Sequence, residues 1–195
     1  AMFYYCKNLT SLDISNFDTS RVTGMNYMFL GCELLIQLDL NNFNTSKVIN
    51  MYSMFSKCSK LTSLDLSNFD TKRVTNMGQM FYGCSALTNL DLSNFDTSKV
   101  TEMYSMFSGC KSLTQLDLSN FDTSQVTDIR SMFAACEKLT TIYISDKWKT
   151  NSIVYSGNMF NGCCSLTGFS QEKTNVKMAK PVEQSGYLTL KSNML

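Results

Sequence analysis

Apolar positions along the chain follow two spacings in alternation. In "LTNLDLSNFDTSKVTEMYSMFSGC", residues 87–110, Leu87, Leu90 and Leu92 form an L-x-x-L-x-L group, whereas Val100, Met103, Met106, Phe107 and Cys110 follow at intervals of three, three, one and three. The first pattern predicts a short strand with Leu90 and Leu92 on one side and Asp91 on the other. The second predicts a short helix, begun after a polar turn such as "DTSK" and closed near Gly109, where a positive φ suits glycine. The Val100–Thr101 pair could instead be a brief extended stretch.

The same string returns along the chain. Leu9, Leu35, Leu61, Leu87, Leu113 and Leu139 stand 26 residues apart, as do Phe17, Phe43, Phe69, Phe95 and Phe121. A fixed period of this length is the signature of a solenoid. One strand and one short helix cannot bury their apolar faces alone, so successive coils must stack, with strands roughly 4.8 Å apart. The expected architecture is an α/β repeat over residues 1–168, with a short parallel β-sheet on the concave face and short helices on the convex face. Ladders of Leu, Phe, Met and Cys fill its interior, and residues 169–195 form a C-terminal cap. The sixth copy gains one residue, replaces the strand aspartate by Tyr143 and carries Trp148, the only tryptophan. The tail holds the only proline, Pro181, and ends in the alternating "YLTL" expected to shield the last coil. Because Ala1 falls mid-repeat, a preceding coil or capping segment is expected ahead of it.

Composition removes several kinds of chemistry. The eight cysteines fall one per coil until the adjacent Cys163 and Cys164. Parallel side chains in a ladder do not point at one another, so free, buried thiols are expected rather than disulfides, with one of the last pair exposed. One cysteine per coil does not gather four zinc ligands. The chain has no histidine, which excludes Ser–His and Cys–His nucleophiles, and it shows no phosphate-binding or dinucleotide motif. Carboxylate pairs recur in every coil, whereas a catalytic site is a single break in a pattern. No catalysis, cofactor or metal is expected. A net charge of +1 carries no excess for nucleic acid, and no 18-residue apolar run suggests a membrane span.

The L-x-x-L-x-L strand resembles that of leucine-rich repeats, and "LTSLDLSNFDTKRVTNMGQMFYGC" resembles the repeat of BspA-like bacterial surface proteins. "SGYLTL" resembles that family's closing segment. Phe17 and its equivalents stand where the common leucine-rich repeat has asparagine, which disfavours the intracellular receptor type. The resemblance implies a leucine-rich-repeat solenoid that is secreted or held at the cell surface, with signal and anchor outside this chain. It further implies a monomeric module that adheres to a host extracellular protein, either a matrix component or a cell-surface receptor.

The outstanding surface candidate is a column of Asp13, Asp39, Asp65, Asp91 and Asp117, directed outward from the strand centres. It is flanked by Gln37, Asn89 and Gln115 and ends at Tyr143. Unit charges about 5 Å apart in water repel by about 0.8 kcal/mol, so stacking is expected to raise some carboxyl pKa values or attract cations. Calcium, however, wants six to eight oxygens around one point. The column reads either as a solvated ladder or as a partner-binding strip. Asn16, Asn42, Asn68, Asn94 and Asn120 read as structural, and Asp18, Asp70, Asp96 and Asp122 as turn or helix-cap residues. Tyr27, Tyr52, Tyr82 and Tyr104 offer another surface. Carbohydrate binding would need clustered exposed aromatics, and only Tyr143 and Trp148 qualify. The alternative to a binding module is a structural spacer that displays other domains.

Overall fold

The computed structural model describes residues 1–180 and 186–191; Pro181 lies outside them. Within each coil the backbone turns by hydrogen bonds from an N–H to the carbonyl three residues back, as from Phe69 to Leu66, Val74 to Thr71, Met80 to Met77 and Cys84 to Phe81. Between coils, the N–H groups of Met77, Gln79, Phe81 and Gly83 donate to Glu102, Tyr104, Met106 and Ser108 of the next coil at 2.8–3.0 Å. Repetition of these two bond sets makes the chain a solenoid-like stack.

The segment with three-residue spacing is not a helix, which corrects the convex-face helices expected from the sequence. Gln79 and Gly83 have φ values of 55° and 70°, and the equivalent Ser105 and Gly109 have 52° and 77°. A right-handed helix excludes such angles. Donors that a helix would aim four residues back go alternately to a tight turn and to the next coil, so the backbone is satisfied by another route. A chain that reverses every four residues brings Met, Phe and Cys inward at the same intervals as a helix does. Among the described residues the helical structure is a single 3₁₀ turn, Val176–Met178.

The strand expectation holds only at one end. Strands β1 (Gln115–Asp117), β2 (Thr141–Ile144) and β3 (Thr189–Leu190) form a parallel sheet in that order, with Asp117 opposite Tyr143 and Tyr143 opposite Thr189. In earlier coils the equivalent residues keep the alternation of exposed and buried sides without forming regular strands. The longer parallel ladder lies across the coil, where Gly24, Asn50, Asn76, Glu102, Asp128 and Tyr155 pair in succession. The residues after each Val-Thr pair are therefore extended.

Side chains bind the coils where backbone pairing is sparse. Asn68 Nδ2 donates to the Leu40 and Phe43 carbonyls of the preceding coil at 2.9 Å each, and Asn42, Asn94 and Asn120 repeat the arrangement. The buried Thr71 hydroxyl donates to the Asp96 carbonyl at 2.9 Å and accepts from the Asp96 N–H at 2.8 Å. Thr19, Thr45, Thr97 and Thr123 form the same two-way clip with the coil that follows each. Buried turn groups thus find partners that no regular element supplies.

Phe3, Phe29, Phe55, Phe81, Phe107, Phe133 and Phe160 stack along the interior with ring centroids 5.6–5.8 Å apart. Beside them the thiols of Cys32, Cys58, Cys84, Cys110, Cys136 and Cys163 each donate to a phenylalanine carbonyl one coil back. These six cysteines are free and buried, whereas Cys6 and Cys164 are exposed. Burial pushes the Cys32 thiol up to about 11 and those of Cys84 and Cys163 to about 12.

At the C-terminal end Tyr187 sets its ring edge-on against Phe160 at 5.3 Å, and Leu188 is wholly buried. The Lys191 N–H donates to Ile144 at 2.7 Å, extending the pairing of β3 with β2. Trp148 is buried, which removes it from the exposed aromatics expected on the surface. The extra residue in this coil, between Ile144 and Trp148, delivers the indole to the interior place of Phe121. The Trp148 N–H bonds the Ser145 carbonyl much as Phe121 bonds Leu118.

Candidate partner-binding face

Each column aspartate is placed by a local turn. Its Oδ1 accepts from the N–H two residues on: Ser15 for Asp13, Asn41 for Asp39, Ser67 for Asp65, Ser93 for Asp91 and Ser119 for Asp117, all at 2.9–3.0 Å. Aspartate favours this turn because its short carboxylate reaches its own backbone. Since the turn recurs once per coil, the five carboxylates stand in file on one exposed face. Gln37, Asn89 and Gln115 are exposed beside them, and Tyr143 is half-buried next to Asp117 across the sheet.

The file borders two hollows. One, of about 580 Å³, is lined by Ser11, Asp13, Gln37, Asp39, Ser63 and Asp65 among others. A smaller one, of about 100 Å³, joins Asp65 to Asp91 through Ser67 and Ser93. Asn89, Gln115, Asp117 and Tyr143 line neither of these hollows.

The expected rise in carboxyl pKa is overturned. Hydrogen bonds from Ser15 hold Asp13 below the ordinary carboxylate range, and those from Ser67 and Ser93 do the same for Asp65 and Asp91. At Asp91 repulsion from Asp117 and Asp65 acts upward but is the weakest contribution. A donor at 2.9 Å stabilises the charged form more than a screened charge one coil away disfavours it. At Asp117 burial acts upward most strongly, yet Lys191 and Ser119 together outweigh it and the value falls.

Lys191 is the contact that sequence reasoning missed. It follows β3 and forms an ion pair with Asp117, so the column's last carboxylate is already engaged. The two residues lie 74 positions apart and outside the repeat, so periodicity gave no signal for the pair. Along the rest of the column, Asp13, Asp39, Asp65 and Asp91 have no ion pair among the described residues. No three His, Cys, Asp or Glu side chains among the described residues are placed to hold a metal ion.

Asp18, Asn44, Asp70, Asp96 and Asp122 each accept from the N–H two residues on. They are turn residues, and no helix follows for them to cap.

A family model described as "Mycoplasma protein of unknown function, DUF285" matches residues 1–111 and, in a second overlapping match, residues 62–176. The chain belongs to the DUF285 family. The overlap of the two matches reflects the internal repetition of this DUF285 chain. No curated protein and no solved structure matches it. Among its described residues, no helix is long and apolar enough to cross a membrane.

Proposed function

We propose that this DUF285 chain is a non-catalytic binding module of a secreted or cell-surface protein. Its aspartate-lined face docks a host extracellular protein, a matrix component or a receptor, through that partner's cationic side chains. The observation that carries the reading is the file of exposed carboxylates along the 580 Å³ hollow. Aligned charges of one sign steer an oppositely charged partner and set its register. Lys191, an ammonium following an extended strand, already occupies the last site of the file and illustrates the kind of group the others accept. The surface location and the host partner rest on the resemblance to BspA-like repeats.

The uniform stacking of coils favours a second reading, a passive spacer that separates other domains. A binding screen of the labelled chain against host extracellular domains and matrix proteins distinguishes the two, with an Asp39→Asn, Asp65→Asn, Asp91→Asn variant alongside. Asparagine retains the turn-forming oxygen and removes only the charge. A saturable hit lost by this variant supports the binding face, whereas a folded chain without any hit supports the spacer.

A further inference from the structure

Asn161 precedes Gly162, and the two form the one Asn-Gly pair of the sequence. At the equivalent place in earlier coils the backbone N–H is spent on the next coil. Gly83, Gly109 and Ala135 donate in this way to the carbonyls of Ser108, Ala134 and Asn161 at 2.6–2.8 Å. Gly162 belongs to the last such coil. The cap takes up its neighbour Phe160, whose N–H donates to the Thr174 carbonyl at 3.0 Å, but the Gly162 N–H has no hydrogen-bond partner among the described residues. Asn161 is exposed, and its Oδ1 accepts a hydrogen bond from the side-chain amide of Gln171 in the cap. A backbone nitrogen with no Cβ beside it therefore adjoins a solvent-open carboxamide. The Gln171 donor sits where negative charge would develop if that carboxamide were attacked.

We propose that Asn161 is a modification site, at which the folded chain deamidates spontaneously. The Gly162 nitrogen gives its proton to hydroxide and attacks Asn161 Cγ. A ring closes through the new N–C bond, the Cγ–Nδ2 bond breaks and ammonia leaves. Water then opens this succinimide at either carbonyl, giving aspartate or isoaspartate. Asparagine is a thermolabile residue in general, but the other asparagines here are better protected. Asn68 and its equivalents precede phenylalanines whose N–H groups close turns, as Phe69 does on Leu66 at 2.9 Å. Asn76 precedes Met77, whose N–H is bonded to Glu102 of the next coil at 3.0 Å. Asn151 is exposed, but the Cβ of Ser152 crowds the attacking nitrogen. The place of the reaction gives it a consequence. The Asn161 carbonyl accepts from the Ala135 N–H at 2.6 Å, a rung that ties the last coil to the one before. In isoaspartate the main chain runs through the former side chain, and the carbonyl of that rung becomes part of a free carboxylate. Deamidation loosens the last coil and its tie to Gln171 of the cap.

Incubation of the whole chain at pH 8 under native conditions, followed by proteolysis and peptide mass mapping, tests the proposal. Circular dichroism of each sample shows that the chain is still folded. The expected result is conversion of Asn161 to aspartate and isoaspartate ahead of every other asparagine, with faster hydrogen exchange of the Ala135 amide in the converted molecules. Gly162→Ala is expected to lose most of the conversion. Gly162 has a φ of 76°, and Ala135 holds the same place in the preceding coil at 56°, so the fold accepts alanine there while its methyl group hinders the nitrogen. The proposal is overturned if another asparagine converts first, if Asn161 converts only once the chain has unfolded, or if a folded Gly162→Ala variant converts as fast as the parent. The order of conversion in the parent decides the matter independently of the variant.

Discussion

Replacing Phe81 by alanine probes the interior ladder at its centre. The ring is fully buried and stacks on Phe55 and Phe107 at 5.8 Å on each side, within 9° of parallel. Deleting a buried phenylalanine costs about 3–5 kcal/mol through lost transfer energy and the cavity left behind. Two stacked neighbours, each contributing about 0.5–1.5 kcal/mol beyond area, place Phe81 towards the upper part of that range. Phe3, in the first coil and only partly buried, should lose far less. Guanidinium unfolding followed by far-UV circular dichroism measures both variants. Coils coupled only to their neighbours can unfold in parts, so the Phe81 variant should also broaden the transition by separating the two halves of the stack. A Phe81→Ala penalty below about 1 kcal/mol, or one equal to that of Phe3→Ala, would refute a continuous packed ladder.

Other consequences follow from the same geometry. Thr71→Val leaves the Asp96 N–H and carbonyl without their partner and should cost about 2 kcal/mol or more in unfolding free energy, whereas Thr71→Ser should cost much less; equal losses would show that the hydroxyl is not the clip. Because the carboxyls of Asp91 and Asp96 titrate below their ordinary value in the native state, their stabilising effect is complete above the unfolded pKa of about 3.9. It is lost as pH falls through the lower native values, and a chain that gains stability on acidification below that range would contradict this assignment. With six thiols buried and their pKa values raised by that burial, a thiol reagent at pH 8 should label Cys6 and Cys164 quickly and the other six only on unfolding. Rapid native labelling of Cys84 would show the ladder to be open. Far-UV circular dichroism should lack a helical double minimum, since the turn segments carry left-handed residues such as Ser105.

The stacking was legible because its cause lies in the repeat. One Leu, Phe, Met and Cys position per coil is enough to dictate interior ladders, and beyond the first coil, where Cys6 is exposed and Phe3, Leu9 and Phe17 are only partly buried, all four are buried where the period places them. The path of the backbone was less legible. A series of tight turns and a helix both bring Val100, Met103, Met106, Phe107 and Cys110 to one side, so apolar spacing alone does not separate them. The distinction lies in the left-handed residues, and Gln79 and Ser105 carry no glycine to announce them. The clip threonines Thr19, Thr45, Thr71, Thr97 and Thr123 stand at the 26-residue period, each two residues after the aligned phenylalanine, and could have been read from that regularity. The aspartates are exposed, as the alternation predicts, though only Asp117 lies in a strand; their pKa direction depended on donors two residues away that a charge count ignores. Trp148 was misplaced because a single inserted residue moved it from the surface to the interior.

The most direct test of the binding face is amide hydrogen exchange on the chain in complex with the partner captured in the screen. The predicted result is slowed exchange at Ser15, Asn41, Ser67 and Ser93, whose N–H groups lie against the column carboxylates, with loss of both binding and protection in the Asp39→Asn, Asp65→Asn, Asp91→Asn variant. Protection confined to the coils around Tyr27, Tyr52 and Tyr104, with those four amides unchanged, would contradict it.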